Sequence, residues 1–186
     1  MITTNRFFLR PLVAADVSER YVQWFSDDIA RRYITSAGEN QSIETLRSYV
    51  SERENCEDVQ FLGIFTALHH EHIGNIKFEP ICTKTHTATM GILIGDPAWR
   101  GKGVAPEVLD ACSDWLYLNR GIKHILLGVH RNNSAAITAY EKSDFKLLSE
   151  ESSDTGVGLK MQRDYVSASR LALGTVQFGL NYGIAS

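Results

Sequence analysis

The spacing of apolar residues predicts a strand followed by two helices at the start of the chain. Residues 6–12 form the strand, with Pro11 at its edge or end, where a missing N–H costs little. We take Asp16 as the N-cap of the first helix, whose apolar residues recur at helical spacing: Val17, Tyr21, Trp24 and Phe25. A second helix is expected from Ser42, where a capping hydroxyl precedes an acidic first turn; its inward residues are Leu46, Tyr49 and Val50.

The period then changes to that of strands. Residues 61–67 and 72–78 predict two strands joined by a short polar tip. Three histidines crowd this tip: His69, His70 and His72. Zinc ligation and simple solvation are the two alternatives. A hairpin tip places the side chains on alternating faces, and no CxxC or HExxH partner stands nearby, so we predict solvated histidines and no metal.

The second half combines a third strand, residues 87–94, with a long helix over residues 104–119. Pro106 suits the first turn of this helix, and Gly121 is its stop signal. One apolar stripe follows the helix: Val104, Val108, Leu109, Cys112, Trp115 and Leu116. The later elements are an all-apolar strand expected at the sheet centre, a short helix and two strands, over residues 125–129, 134–142, 145–148 and 156–162. This order predicts an α/β domain with a mixed sheet.

Composition narrows the class of protein. The chain has 186 residues, of which 44% are hydrophobic. We therefore expect one domain that is large enough to bury a hydrophobic core. A net charge of −3 does not favour a nucleic-acid partner. No apolar run suggests a membrane span, and the N-terminus does not resemble a secretory signal. The cysteines are too few and too scattered for a disulfide framework, which favours a reducing, cytoplasmic location: Cys56, Cys82 and Cys112.

Residues 99–107 carry a glycine-rich turn between a strand and the long helix. Gly101 and Gly103 allow a tight turn and a close approach of the backbone to a ligand. The helix start adds unpaired N–H groups and the positive end of its dipole, a combination that suits a pyrophosphate. The turn matches neither the GxxxxGK[ST] loop nor the GxGxxG dinucleotide fingerprint. By itself it therefore leaves open a tight connection without a ligand.

Two motifs favour a ligand at this turn over a simple connection. Residues 100–105, RGKGVA, resemble the R/Q-x-x-G-x-G/A motif of the GNAT acyl-CoA N-acyltransferases. Residues 133–145, NSAAITAYEKSDF, are similar to the second signature of that family, N-x-x-S-x-x-x-Y-E-K-x-G-F. The resemblance covers residues 6–163. It implies the GNAT fold, a mixed and mostly antiparallel sheet flanked by helices, in a domain over residues 1–166.

The opening of the chain resembles one branch of this family. Residues 9–12, Asp16 and residues 24–28 are similar to the branch that includes the ribosomal-protein-alanine N-acetyltransferases. The chain departs from the family pattern at three positions: Thr89, Ala136 and Asp144. Thr89 stands where many members of this branch carry a glutamate, which removes an obvious general base. Asp144 replaces a glycine, and aspartate tolerates the left-handed turn expected there.

The resemblance implies a set of site residues for acetyl-CoA as co-substrate. Backbone N–H groups would hold the pantetheine arm and polarise the thioester near Leu93, Ile94 and Gly95. The pyrophosphate would bind Arg100, Gly101, Lys102, Gly103, Val104 and Ala105, with Asn133 also touching the co-substrate. Tyr140 matches the position that protonates the leaving thiolate in many relatives. The general base stays open between Glu79, which we favour, His86 and a water chain.

The expected activity is N-acetylation of a primary amine, and the acceptor is left with two alternatives. One is a small amine, notably an amino-sugar nucleotide; the other is a protein N-terminus. A non-catalytic acyl-CoA-binding module is the rival from another class. The acceptor side in this family is formed by the region holding Tyr21, Trp24, Phe25, Arg31 and Arg32. Core packing and a solvated basic pair are the simpler interpretation for most of these residues.

Residues 171–186 form a separate feature of the sequence. They resemble the first strand and loop of an aldo-keto reductase barrel, a fold that needs about 250 residues. Our hypothesis is that residues 167–186 begin a truncated reductase domain in a longer fusion, which would favour small-molecule biosynthesis. The alternative is an ordinary tail that docks on the sheet edge or in a homodimer.

Overall fold

The computed structural model describes residues 1–26, 41–153 and 156–165. Within these residues the chain forms eight strands and four helices. The strands are β1 Ile2–Thr3, β2 Phe7–Pro11, β3 Gln60–Thr66, β4 His72–Cys82, β5 Thr87–Ile94, β6 His124–His130, β7 Lys146–Ser153 and β8 Gly156–Asp164. The helices are α1 Glu19–Ser26, α2 Ile43–Ser51, α3 Val104–Arg120 and α4 Ser134–Glu141. The tail hypothesis for residues 171–186 and the pair Arg31 and Arg32 fall outside the described residues.

All eight strands join one sheet in the order β1-β2-β3-β4-β5-β6-β8-β7. Neighbouring strands are antiparallel, except that β5 and β6 run parallel. The parallel register joins three residues of each strand, Thr87 with His124 through Thr89 with Leu126. This mixed, mostly antiparallel sheet flanked by helices confirms the predicted α/β architecture.

The two faces of the sheet bury separate apolar clusters. Helix α3 covers one face with its apolar stripe, and strands from β1 to β8 contribute to the same large core. Helices α1 and α2 cover the other face, where a smaller cluster holds Tyr21, Trp24, Leu46 and Val50. Because side chains alternate along a strand, Ile92 and Ile94 pack against the first cluster and Leu93 against the second. The end of β5 therefore touches both layers.

The main helices begin and end close to the predicted residues. Ser42 caps α2 by accepting a hydrogen bond from the Thr45 N–H at 3.1 Å, as predicted. Gly121 ends α3 in the left-handed conformation with φ 68°. Both cases confirm capping rules that depend on a local backbone requirement, which short sequence patterns report directly.

The N-cap prediction for Asp16 is wrong. Residues Ala14–Asp16 form a 3₁₀ turn, and the N–H of Tyr21 is bonded instead by the Ser18 hydroxyl at 3.3 Å. The Asp16 carboxylate accepts two hydrogen bonds of 2.7 Å from the Arg10 guanidinium. A two-point pair between a carboxylate and an arginine is stronger than a single capping bond, so Asp16 is held by the strand rather than by the helix.

The expectation that all three tip histidines are solvated is wrong for His72. The register between β3 and β4 shifts at Phe65, which puts His72 opposite Phe65. The imidazole then stacks on the Phe65 ring and also contacts Tyr21 and Trp24. Burial lowers the pKa of His72 to about 4, so the ring is neutral at physiological pH. The bulge thus converts a polar tip residue into part of the core.

Asp144 has φ 62° after helix α4, in the left-handed region expected at this position. Its carboxylate also lies beyond a helix C-terminus, where negative charge is unfavourable. Asp144→Gly and Asp144→Asn should each raise the free energy of unfolding by about 0.5–1 kcal/mol, whereas Asp144→Val should lower it by about 1–2 kcal/mol. Urea unfolding monitored by circular dichroism would measure both effects. A glycine variant less stable than the wild type would contradict this explanation.

Candidate active site

A cavity opens where β5 and β6 separate. Past Thr89 and Leu126 the described residues of β5 and β6 no longer pair with each other, although both strands continue toward the same edge of the sheet. The resulting cavity has a volume of about 500 Å³. Its walls come from the end of β5, the glycine turn before α3, and α4. Among the predicted site residues, those that line it are Leu93, Ile94, Arg100, Gly101, Gly103, Val104, Ala105, Asn133 and Tyr140.

The glycine turn has the backbone geometry that its sequence requires. Gly101 and Gly103 have φ values of 71° and 72°, which favour glycine over any side-chain-bearing residue. Gly103 is the N-cap residue of the 17-residue helix α3. The first N–H groups of such a helix have no intrahelical partners, and the dipole adds partial positive charge. The wall of the cavity at this point is therefore suited to an anionic group such as a pyrophosphate.

Arg100 connects this turn to the end of β5. Its Nε donates to the carbonyl of Ile94 at 3.0 Å, and a terminal nitrogen donates to the carbonyl of Gly95 at 2.9 Å. These bonds fix the strand end against the turn. Arg100 also lines the cavity, so the same side chain shapes two of its walls.

Two predicted co-substrate residues lie outside the cavity lining. Gly95 is buried beneath Trp24: a Cβ added to it would be 1.9 Å from the indole Cδ2. Lys102 is exposed, with its Nζ 5.7 Å from the centre of the Trp99 ring. A structural reason therefore exists for glycine at position 95, and the contribution of Lys102 to co-substrate binding stays a prediction.

Helix α4 contributes a polar group at each end of its cavity-facing side. At its start, the Asn133 side chain caps the helix by accepting from the Ala136 N–H at 3.2 Å. Near its end, Tyr140 packs against the large core, with its ring centre 5.7 Å from that of Phe145. Burial raises the pKa of Tyr140 to about 12, which keeps its hydroxyl protonated at physiological pH. A protonated phenol at a cavity wall can donate a proton or a hydrogen bond to a bound group.

Glu79 lies on the α1 and α2 face of the sheet rather than in the cavity lining. Its carboxylate is paired with the Lys77 ammonium at 2.5 Å and with the Arg53 Nε at 3.0 Å. Burial alone would raise the pKa of Glu79, but hydrogen bonds from Lys77 and Arg53 outweigh burial and lower it. A carboxylate with two cationic partners is a weak proton acceptor, and this geometry disfavours the role of general base.

His86 lies at the turn between β4 and β5, before the end of β5 that is remote from the cavity. Its Nδ1 is 2.9 Å from the carbonyl of Gly121, and its own carbonyl accepts from the N–H groups of Lys123 and His124. The eight residues of β5 separate it from Gly95, which is about 30 Å along the strand. His86 therefore fastens the end of α3, and its distance from the cavity argues against a role as base.

A cationic and aromatic cluster lies on the α1 and α2 face of the sheet, next to the exposed Gly91 of β5. Lys77 is directly opposite Gly91 in the β4–β5 register, and its ammonium donates to the Tyr49 hydroxyl at 2.5 Å. The Arg53 guanidinium lies 3.6 Å from the centre of the Tyr49 ring. Gly91 is exposed, and an added Cβ would meet no atom within 4 Å. This acceptor-side cluster, Tyr49, Arg53, Lys77 and Glu79, was not evident as a unit because its members come from two distant segments.

The aromatic residues of α1 pack into the core between the helices and the sheet and do not line the surface next to Gly91. Tyr21 and Trp24 are buried, and Phe25 is half-buried in the same cluster. The Tyr21 hydroxyl accepts from the Asn75 amide at 3.1 Å in the sheet beneath. These contacts support the core-packing interpretation for Tyr21 and Trp24.

A second anchor of the glycine turn comes from the N-terminus. Arg6 pairs with Glu107, with Nε and Oε2 2.7 Å apart, and donates to the carbonyls of Lys102 at 3.0 Å and Gly103 at 3.3 Å. The Thr4 hydroxyl donates to the other Glu107 oxygen at 2.7 Å. Neither Thr4 nor Arg6 stands out in the sequence, since their partners are about 100 positions away and no periodicity connects them.

Two other kinds of site are absent from the part of the chain that the structure describes. Across residues 1–26, 41–153 and 156–165, no group of three or more histidine, cysteine, aspartate or glutamate residues could hold a metal ion. Within the same residues, none of the helices is both long and apolar enough to cross a membrane.

Comparison with known proteins identifies the family. The acetyltransferase (GNAT) domain profile matches residues 6–146, well over half of the chain. An N-acetyltransferase 9-like protein of Caenorhabditis briggsae is 23% identical over 143 residues, which is 72% of this chain and 72% of that protein.

Solved structures share the fold at low sequence identity. The ribosomal L7/L12 alpha-N-protein acetyltransferase RimL, in complex with coenzyme A, has a TM-score of 0.77 at 16% identity, covering 87% of this chain and 95% of that one. Spermidine N-acetyltransferase from Vibrio cholerae, with CoA and spermine, has a TM-score of 0.74 at 18% identity, covering 84% and 94%. Aminoglycoside acetyltransferase AAC(6')-Ib, with coenzyme A, has a TM-score of 0.70 at 16% identity, covering 89% and 99%. Together with the domain match, the cavity and its glycine turn, these findings show that the chain belongs to the GNAT family and is an acetyl-CoA-dependent N-acetyltransferase.

Proposed function

We propose that the enzyme acetylates the primary amine of a small anionic acceptor, an amino-sugar nucleotide being the class that fits best. The observation that carries this proposal is the acceptor-side cluster beside the cavity. Lys77 lies opposite Gly91 in the register of β4 and β5, and Gly91 is two residues, about 7 Å along β5, from the cavity-lining Leu93. An acceptor seated over the bare Gly91 backbone would meet this cation.

The charges of the cluster favour an acceptor phosphate over a polycation. Lys77 and Arg53 supply two cations, and Glu79 supplies one carboxylate. Glu52, whose carboxylate is 3.8 Å from Arg53, is 73% exposed and offsets part of this charge from the solvent side. The half-buried side chains of the cluster still carry one excess positive charge, which attracts phosphate and repels an alkylammonium chain. The exposed face of Gly91 leaves room for a sugar, and the Tyr49 ring adds an aromatic surface nearby.

The catalytic step is attack of a neutral amine on the thioester carbonyl, with loss of an amine proton and gain of a proton by the departing thiolate. In our proposal, backbone N–H groups at the end of β5 polarise the carbonyl, near Leu93, Ile94 and Gly95. The glycine turn, residues 100–105, holds the pyrophosphate, with Asn133 touching the co-substrate. Tyr140 delivers the proton to the thiolate, a role supported by its place in the cavity wall and its protonated state.

The proton of the acceptor amine leaves through solvent in this proposal. Glu79 and His86 are both committed to other partners. The cationic cluster helps this step, because a nearby ammonium lowers the pKa of a bound amine and enriches its neutral form. Glu79 then acts by holding Lys77 in place.

A panel of acceptors tests the substrate class. Thiol release from acetyl-CoA would be measured with UDP-linked amino sugars, peptides with free N-termini, and polyamines. We expect turnover on the nucleotide-linked amino sugars, and Lys77→Met should raise KM for that acceptor about tenfold, the loss of one charge-assisted contact. Lys123→Met, which removes an exposed lysine before β6, should leave KM unchanged.

Other outcomes of the panel point to specific alternatives. Turnover on peptides alone, unaffected by Lys77→Met, would replace the proposal with N-terminal protein acetylation. Efficient turnover of polyamines would contradict the charge argument. Silence on every acceptor, with acetyl-CoA still raising the melting temperature, would favour the non-catalytic binding module.

A further inference from the structure

The N-terminal residues hold the glycine turn without lining the cavity themselves. Arg6 lies just before β2. Its guanidinium donates hydrogen bonds to three groups: the Glu107 carboxylate, the Lys102 carbonyl and the Gly103 carbonyl. Its backbone N–H also donates to Glu107, at 2.9 Å. Thr4 completes the arrangement through its hydroxyl. Five bonds therefore join the start of the chain to the start of α3.

Because the peptide bond is planar, these hydrogen bonds also fix the direction of the neighbouring backbone N–H groups. In a trans peptide the C=O of one residue and the N–H of the next point in opposite directions. The Lys102 and Gly103 carbonyls point to the guanidinium, so the N–H groups of Gly103 and Val104 point away from it. Gly103 and Val104 both line the cavity. Arg6 thus fixes the direction of two donors at the position where an anion would bind.

Arg6 also balances an unfavourable charge. Glu107 lies in the first turn of α3, close to the anion-binding end of the helix. A bare carboxylate there would repel a bound pyrophosphate. The Arg6 guanidinium, 2.7 Å away, neutralises it.

We infer that Arg6 is a positioning residue for the pyrophosphate of acetyl-CoA: it orients the N–H groups of the glycine turn and neutralises Glu107. This inference rests on the proposed assignment of the turn to the pyrophosphate. Arg6 itself lies behind the turn and contacts the protein, so its effect is on co-substrate affinity and not on the chemical step.

The test compares two acetyl donors. S-acetyl-pantetheine carries the thioester and the pantetheine arm but lacks the pyrophosphate and nucleotide. Arg6→Met should raise KM for acetyl-CoA about tenfold and leave kcat within about twofold. With S-acetyl-pantetheine the same variant should match the wild type. Arg6→Lys can reach fewer of the three groups, so its KM for acetyl-CoA should lie between those of the wild type and Arg6→Met.

Arg10→Met is the matched control, since it removes another arginine–carboxylate pair of the N-terminal segment, whose residues do not line the cavity. It should leave the KM for both donors unchanged. Equal rises in KM for both donors in Arg6→Met and Arg6→Lys, or a fall in kcat alone, would show a general structural role and overturn the inference. A wild-type enzyme that uses both donors with the same KM would instead refute the pyrophosphate assignment beneath it.

Discussion

Tyr140→Phe should lower kcat about a hundredfold while leaving the Kd for acetyl-CoA unchanged. The variant keeps the ring that packs beside Phe145 and against the core, and removes only the hydroxyl. That hydroxyl is the protonated group that we assign to the leaving thiolate, and general acid help is worth roughly a hundred- to ten-thousand-fold. Acetyl-CoA affinity depends on the turn and strand backbone, which this change does not touch.

Steady-state thiol release and calorimetric titration with acetyl-CoA measure the two quantities separately. Tyr117→Phe is the control, because Tyr117 stacks on Tyr165 with ring centres 4.0 Å apart and does not line the cavity. It should retain full activity. A Tyr140→Phe enzyme with wild-type kcat would remove the acid assignment, and a loss of affinity in step with kcat would show that the phenol binds rather than protonates.

Gly95→Ala should lower the free energy of unfolding by about 3 kcal/mol, a large part of the 5–15 kcal/mol typical of a domain. The new methyl group would lie 1.9–2.4 Å from three atoms of the Trp24 indole, which is buried. Neither the strand end nor the indole can move freely, since Arg100 ties the Gly95 carbonyl and Trp24 packs against Tyr21 and His72. Urea unfolding would measure the loss.

A double-mutant cycle isolates the contact responsible. In a Trp24→Leu background the indole is gone, so the same Gly95→Ala change should cost less than about 1 kcal/mol. Gly91→Ala is the single-site control: its added Cβ meets nothing within 4 Å, and stability should stay within about 0.5 kcal/mol. An equal cost of Gly95→Ala in both backgrounds would place the strain elsewhere.

Much of the fold was predictable because its elements obey local rules. The stripe of α3, the Ser42 cap and the Gly121 stop each depend on residues within a few positions of one another. The glycine turn in the cavity wall was predictable for a related reason. Two of its residues have positive φ, a conformation that favours glycine, and glycines can be recognised directly in the sequence. The family resemblance supplied what spacing alone left open.

The features that escaped prediction depend on contacts that follow no helical or strand period. Asp16 was assigned to a helix cap because its pairing with Arg10, six residues earlier, joins a strand to a turn. His72 was expected in solvent because a register shift cannot be read from alternation. The ion pairs of Glu79 with Lys77 and Arg53 join segments that are distant in the chain; they disfavour the role of base for Glu79, which stays a prediction. In each case a charge or ring from elsewhere in the chain decides the chemistry.

The short parallel pairing between β5 and β6 has a mechanical consequence. In the described residues the ladder stops at Thr89 and Leu126, so the two halves of the sheet can spread apart at the cavity without breaking a hydrogen bond between these strands. The antiparallel pairings of β5 with β4 and of β6 with β8 continue on either side of this gap, so the width of the cleft and the integrity of the sheet depend on separate sets of hydrogen bonds.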